Sequence, residues 1–506
     1  MDDFLLFRRR MAGLTVLVIA VLLVGCSGES GDSPKRPAGV PNVVMICIDT
    51  VRWDTWWTPE RAGFDDRFGP WAERSQVMAQ AVSAAPWTIP SVATVVTGLY
   101  PSQHGGGLFD SEVANLDQQV PSAIGRSAPT LAELLLKAGF TTGAVSAHPW
   151  FRADYGFERG FEQMHARKGA ARLTDKGLEW LDAEARQGER FFLYLHYMDA
   201  HDPHLDLENS RELVERLAPE RREALISTAP GPACDEPDSD MCIRYLSYTV
   251  ATLELREQMA RLLESLEDRH LLDDTLVVLY SDHGEAFHDH HEIAADRAVD
   301  PRGFYGVGHG QSLYQEQLHV PLQFWHPTYS GREVAIPVSL VDVLPAVFEW
   351  LGLDLPDDLD FPGRSFAPDV AGAEARAFDW SDDQRVWKNI GERELFASGI
   401  AYGPEQLAVI DGGHKLIWHQ FDNEREYYDL NADPLEGDPA PSLPDDLADS
   451  MEALLDRYFG WFGSQDYLPP ELTDDNVEEL KGVGYLQGVE SRREEDRGEN
   501  KDGGGQ

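Results

Sequence analysis

Apolar positions follow two alternating rhythms along this chain. Short continuous runs at residues 43–48, 141–147, 190–198 and 275–281 read as strands buried on both faces, the signature of a parallel sheet. Between them, residues 130–139, 174–186 and 245–266 carry apolar side chains at helical spacing, the first closed by Gly139. Strand and helix in alternation predict an α/β fold with a large, mostly parallel sheet sandwiched by helices. Residues 205–240 look like an insertion, helical over 210–225. The last third changes rhythm: 341–353 and 447–462 read as helices, and 405–417 alternates as two strands around Asp411-Gly412-Gly413. A small C-terminal antiparallel subdomain is therefore expected beside the large sheet.

The strand ends carry the chemistry. The run 43–48 stops at Asp49, 275–281 runs into Asp282-His283-Gly284-Glu285, His148 follows 141–147, and 190–198 leads into a segment with His196, Asp199, His201, Asp202 and His204. In open α/β sheets the carboxyl edge of the strands holds the ligand. Asp49 there is either a metal ligand or a loop cap. Adjacent Asp282 and His283 can turn toward one cation, with Gly284 removing side-chain bulk from the approach. Imidazoles at such an edge bind a metal, hold an anion or protonate a leaving group. A second His-rich stretch contains His290, and His309 stands exposed between Gly308 and Gly310 in a segment, 304–318, that suits a lid.

Residues 82–98 read as a hydroxyl set on the first turn of a buried helix. Thr88 stands where the helix starts, Pro90 is compatible with a first turn, Val92, Ala93, Val95 and Val96 give an apolar body, and Gly98 ends it. Thr88 is there either as a plain cap or as a nucleophile favoured by the free N–H groups and partial positive charge of the helix start. Two carboxylates, an imidazole and a hydroxyl, from Asp49, Asp282, His283 and Thr88, make a shell for one divalent cation. Oxygen ligands suit Mg²⁺, Ca²⁺ or Mn²⁺, and His283 moves the balance toward Mn²⁺ or Zn²⁺. A second cation would draw on Asp199, His201, His204 or His309.

Charge and cysteines narrow the setting. A formal charge of -45 argues against nucleic acid and against long polyanions held on a broad face. Arg8-Arg9-Arg10 followed by an apolar run of roughly 14 residues reads as an export signal. It ends in Leu23-Val24-Gly25-Cys26, which resembles the lipobox of bacterial lipoproteins, so a lipid anchor at Cys26 and an extracytoplasmic site, periplasmic or cell-surface, are expected. The expected organisation is a signal over 1–26, a linker over 27–40, a catalytic domain over 41–375, a C-terminal subdomain over 376–487 and a disordered tail over 488–506. Cys47 sits in an apolar strand as a buried thiol, and Cys234 and Cys242 flank an acidic loop where a disulfide is favoured over a metal pair.

Several ordered motifs together resemble the sulfatase family of the alkaline phosphatase superfamily. They are Pro41-Asn42-Val43-Val44 through Asp49-Thr50-Val51-Arg52, Ala85-Pro86-Trp87-Thr88-Ile89-Pro90-Ser91 with Thr97-Gly98-Leu99-Tyr100-Pro101, Met198-Asp199-Ala200-His201, Ser281-Asp282-His283-Gly284-Glu285, Gly308-His309-Gly310 and Tyr427-Tyr428-Asp429-Leu430. The resemblance implies an alkaline phosphatase-like fold, with a cation on Asp49, Asp282 and His283. It implies Thr88 as nucleophile, and His201 and His309 on the ester oxygens or the leaving group. His148 and His290 are lesser candidates. Sulfatases proper carry Cys or Ser in Cys-x-Pro-Ser-Arg, matured to formylglycine; here Thr88 holds that place and Val92 replaces the Arg. Thr gives no such aldehyde by the known maturation, whereas related phosphodiesterases and phospholipid headgroup transferases use Thr directly. A hydrolase of phosphate or phosphonate esters, acting on small anionic or glycan-linked esters, is thus expected. The alternatives are a sulfate-ester hydrolase without formylglycine and a tethered binding protein without turnover.

Overall fold

The computed structural model describes residues 41–489 except 112, 185–188, 202–205, 291, 293–305, 358, 373–392, 441–442, 444 and 463–466. The described residues form one compact unit. Its centre is an eight-stranded sheet of β1 (Asn42–Ile48), β2 (Gln76–Val82), β3 (Thr141–Ser146), β4 (Gln163–Ala166), β5 (Phe191–Tyr197), β6 (Thr275–Tyr280), β7 (Leu322–Trp325) and β8 (Arg332–Ser339). The order across the sheet is β8-β2-β7-β6-β1-β5-β3-β4. Only β7 runs against its neighbours, so the sheet is mostly parallel, as the unbroken apolar runs require. Every residue of β1, β5 and β6 is buried.

Helices cover the sheet. They include α1 (Thr88–Thr97), α2 (Ala170–Glu184) and the long α3 (Asp240–Asp268), whose Leu255, Met259, Leu262 and Leu266 join the core that holds Val44, Ile46 and Leu193. The insertion is two helices, Leu207–Glu215 and Pro219–Ser227, rather than the single one expected. Pro219 starts the second because its missing N–H costs nothing there. Cys234 and Cys242 form a disulfide.

A second, antiparallel sheet of β9 (Leu395–Ala397), β10 (Gln406–Asp411), β11 (His414–His419) and β12 (Glu424–Asp429) lies C-terminally, in that order. Helix α4 (Asp445–Phe462) packs Met451, Leu455 and Tyr458 on its apolar face. Among the described residues no helix is long and apolar enough to cross a membrane. Cys26 and the tail from 490 lie outside the described residues.

Register decides what the sheet edge presents. Cys47 pairs with both His196 and Tyr280, and Ser146 pairs with His196, so β1, β3, β5 and β6 end side by side. Their carboxyl ends deliver Asp49, His148, His201, Asp282 and His283 to one edge.

Candidate active site

Helix α1 begins at Thr88, and Trp87 holds the cap position without a side-chain cap bond. The Thr88 hydroxyl is therefore not spent on capping. Its Oγ1 lies 3.3 Å from His283 Nε2, and the residue is 1 % exposed. Ser91, one turn on, ties the helix to the opposite strand end by donating to the Asp282 carbonyl at 2.5 Å.

Asp49, Asp282 and His283 are all fully buried and converge on one point. His283 Nε2 lies 3.6 Å from Asp49 Oδ1 and 3.5 Å from Asp282 Oδ2. Both of those carboxylate oxygens lack a hydrogen-bond partner. Their other oxygens are held: Asp49 Oδ2 accepts from His196 Nε2 at 2.9 Å, and Asp282 Oδ1 accepts from the backbone N–H of Thr50 at 3.3 Å and of His283 at 3.0 Å.

The imidazole tautomers follow from their partners. His283 Nδ1 donates to the Gly284 carbonyl at 2.9 Å, which leaves the Nε2 lone pair facing the two free carboxylate oxygens. His196 donates from Nε2 to Asp49, and its Nδ1 accepts from the Tyr194 hydroxyl at 3.1 Å, which touches the Tyr280 hydroxyl at 3.0 Å. In His148, Nδ1 accepts from the Trp150 N–H at 3.3 Å, so Nε2 carries the proton, 3.7 Å from Asp49 Oδ2. His148 is thus a donor aimed into the site.

Burial opposes both carboxylate charges, with different results. For Asp49, the His196 hydrogen bond and the surrounding imidazoles outweigh burial and hold it well below the usual range. Burial and the nearby Asp49 charge push Asp282 well above it. Burial also lowers His283 and His148. Two buried carboxylates this close do not ionise together without a neighbouring cation. Free oxygens on Asp49 and Asp282, the Nε2 lone pair of His283 and the Thr88 hydroxyl therefore fit a divalent cation, which would offset both charges.

Three further groups rim this centre. His309 donates from Nδ1 to Glu285 Oε2 at 3.0 Å, and its ring centroid lies 4.4 Å from that of His283 and 5.0 Å from that of His201. His201 Nε2 is 2.7 Å from the Tyr485 hydroxyl. Glu285 is fixed in turn by Arg52, whose Nη1 donates to its carbonyl at 3.0 Å while the guanidinium pairs with Asp54 and Asp289. Thr50, next to Asp49, holds φ 63°, a strained setting for a β-branched residue. Tyr248 secures that turn, its hydroxyl donating to the Thr50 carbonyl at 2.8 Å and accepting from the Arg52 N–H at 2.8 Å.

Other expectations change. Asp199 turns away to cap α2, accepting from the Ala170 N–H at 2.7 Å, and His204 lies outside the described residues, so the proposed second-cation set does not assemble among the described residues. His290 sits elsewhere, its Nδ1 3.1 Å from Glu316 and its Nε2 donating to the Glu436 carbonyl at 2.9 Å. Gly284 is needed for a reason other than the cation: a Cβ there would meet the Glu316 carbonyl oxygen at 2.0 Å. Within the expected lid, residues 311–318 are buried in the core, and 304–305 lie outside the described residues. Cys47 and His196 approach Asp282 as well, but burial pushes the Cys47 thiol up and His196 Nδ1 is taken by Tyr194. Nothing in the sequence pointed to Tyr194, Tyr248 or Tyr485, and His196 stood only among the strand-end imidazoles, not as the donor that holds Asp49. His196 alone carried a signal, its place in a His-rich strand end.

The Sulfatase family model matches residues 41–353. The chain is 24 % identical over 307 residues to the multifunctional alkaline phosphatase superfamily protein PehA of Trinickia caryophylli, covering 53 % of this chain and 55 % of that one, so it spans about half the length of that relative. The fold is similar to that of the putative sulfatase yidJ of Bacteroides fragilis, with TM-score 0.64, 15 % identity and coverage of 86 % and 98 % of the two chains. It is also similar to the phosphonate monoester hydrolase of Agrobacterium radiobacter, with TM-score 0.57, 18 % identity and coverage of 83 % and 95 %. With the family pattern matched across more than half of its length and the sheet edge built as described, the chain belongs to the sulfatase family of hydrolases.

Proposed function

We propose that this protein is a metal-dependent hydrolase of phosphodiesters or phosphonate monoesters, using Thr88 as nucleophile, exported and tethered by lipid at Cys26. The Thr88 hydroxyl carries the reading: it is free of capping duty, buried on the first turn of α1 and directed at His283. A threonine offers an alkoxide for direct attack but no formylglycine, which favours phosphorus chemistry within a family that also serves sulfate. The similarity to PehA and to phosphonate monoester hydrolases agrees with this choice.

Asp49, Asp282, His283 and Thr88 would hold the cation. When bound, it supplies charge neutralisation and makes the Thr88 hydroxyl more acidic. Thr88 Oγ1 then forms a bond to phosphorus as the bond from phosphorus to the leaving oxygen breaks, its hydroxyl proton passing to solvent water. His309, oriented by Glu285 through Nδ1, gives the leaving oxygen a proton from Nε2. Water next attacks the phospho-threonine as the bond from phosphorus to Thr88 Oγ1 breaks, one of its protons returning to His309 and the other passing to Thr88, which leaves as its hydroxyl. His148 Nε2–H and the N–H groups at the start of α1 face the charge that builds on the phosphoryl oxygens.

Mass spectrometry of the protein quenched during turnover of bis(p-nitrophenyl) phosphate tests this, the expected result being one phosphoryl adduct on Thr88. Turnover of aryl sulfates above matched aryl phosphodiesters would overturn the substrate class. Full activity in Thr88→Ala would overturn the nucleophile.

A further inference from the structure

The C-terminal segment leaves the small sheet and returns to the catalytic edge. The Tyr467 hydroxyl donates to the Val120 carbonyl at 2.7 Å, and the Ala123 N–H donates to the Leu468 carbonyl at 2.9 Å. Helix α5 (Asp474–Lys481) then lies against the turn Pro149–Arg152: Asn476 Nδ2 donates to the Arg152 carbonyl at 3.1 Å, and Glu479 pairs with the Arg152 guanidinium. Beyond it the Gly488 N–H donates to the Asp117 carbonyl at 2.7 Å. Anchors on both sides thus fix residues 482–487 over the ends of β3 and β5.

That course seats Tyr485 between two site histidines. Its ring centroid lies 5.0 Å from that of Trp150, 5.8 Å from His148 and 5.6 Å from His201, and it is 4 % exposed. Its hydroxyl is 2.7 Å from His201 Nε2. His201 stands on the turn after β5, where its N–H donates to the Met198 carbonyl at 3.0 Å, and that backbone bond does not set the imidazole rotation. The terminal torsion of a histidine is broad and nearly two-fold. A short bond to a rigid, stacked tyrosine holds the Nε2 end of the ring in place.

We propose that Tyr485 is a positioning residue for this active site: carried in by the C-terminal segment, its hydroxyl locks His201 in the orientation that sets it beside His309 and the ester. The catalytic edge is then completed by a residue 284 positions away from the histidine it holds. Angular errors of this kind slow catalysis without weakening the fold, because reacting groups tolerate little misplacement.

The inference rests on the ester-hydrolase reading, and the test separates the two. Tyr485→Phe keeps the ring against Trp150 and removes only the hydroxyl. With bis(p-nitrophenyl) phosphate, kcat should fall about tenfold while KM and the melting temperature hold. In a His201→Ala background the same change should cost nothing further, since a residue acting through His201 has nothing left to position. Unchanged kcat in Tyr485→Phe, or a full additional tenfold loss in the double variant, overturns the proposal. Should the wild-type protein turn over no ester, the functional reading fails on its own. Tyr485 is then judged by diethyl pyrocarbonate modification of His201, mapped by peptide mass spectrometry. Faster modification in Tyr485→Phe supports the bond to Nε2, and an equal rate overturns it.

Discussion

Thr88 Oγ1 lies 3.3 Å from His283 Nε2, and His283 Nδ1 is already committed to the Gly284 carbonyl at 2.9 Å. The hydroxyl therefore meets the one nitrogen of His283 that holds a lone pair, in a place where no capping bond competes. Thr88→Ala should lower turnover of an aryl phosphodiester by about 10³-fold or more, whereas Thr88→Ser, which keeps the oxygen, should stay within roughly tenfold of the parent. Steady-state kinetics on the two variants check this. Equal losses in both would remove the hydroxyl from the chemistry.

The pair Asp49 and Asp282 sets a second expectation. Both are fully buried with one free oxygen each, so a divalent cation should bind the folded chain and not the unfolded one. Such binding stabilises by about 2.7 kcal/mol at a free metal concentration of 100 times Kd. Chelation should lower the melting temperature and added Mn²⁺ or Zn²⁺ should restore it. Asp282→Asn, which removes one of the two charges, should weaken the metal-dependent shift by tenfold or more in metal concentration. A melting curve indifferent to chelator and to Mn²⁺, Zn²⁺, Ca²⁺ and Mg²⁺ alike would sink the cation site.

Asp49, Asp282 and His283 were legible because an apolar run stops at each, and a parallel sheet places such stops on one edge. His196 was not, since its role depends on β5 lying beside β1 with Cys47 opposite it, a pairing that no local pattern encodes. Asp199 fits the same logic in reverse: it follows β5, but the nearby free N–H of Ala170 captures it. Tyr485 carries no local signal either, because its partner lies in a different part of the chain. Even Thr88 read as a helix start in sequence, and only the cap position of Trp87 shows that its hydroxyl is not spent on capping.

Gly284 offers a test that changes none of the side chains of Asp49, Thr88, Asp282 and His283. Its Cα packs under the Glu316 carbonyl oxygen, 2.0 Å from where a Cβ would stand, and its N–H donates to the Gln317 carbonyl at 2.8 Å. The obstacle is backbone held inside the core, so it does not swing aside. Gly284→Ala should destabilise by roughly 3 kcal/mol and shift His283 with it, reducing both the urea midpoint and metal binding. A variant with parental stability would show that this segment moves freely.

The second buried cluster predicts a pH response separate from catalysis. His290 is stacked on Tyr314 at 3.9 Å between ring centroids, with Glu316 at Nδ1 and the Glu436 carbonyl at Nε2. Lys415 pairs with the Glu436 carboxylate at 2.6 Å, and Asp289 precedes His290 in the chain. Burial opposes the imidazolium, but Glu316, with Glu436 and Asp289, outweighs it and raises His290 to about 10. The unfolded value is about 6.5, so between these limits the folded state holds a proton that the unfolded state has lost. The stabilisation is complete below about pH 6.5 and disappears as pH rises through about 10, at up to about 1.4 kcal/mol per pH unit. Urea denaturation from pH 6 to 10 should show this decline, and His290→Gln should flatten it even though its stability at pH 6 is lower. An unchanged slope in the variant would assign the decline to another group.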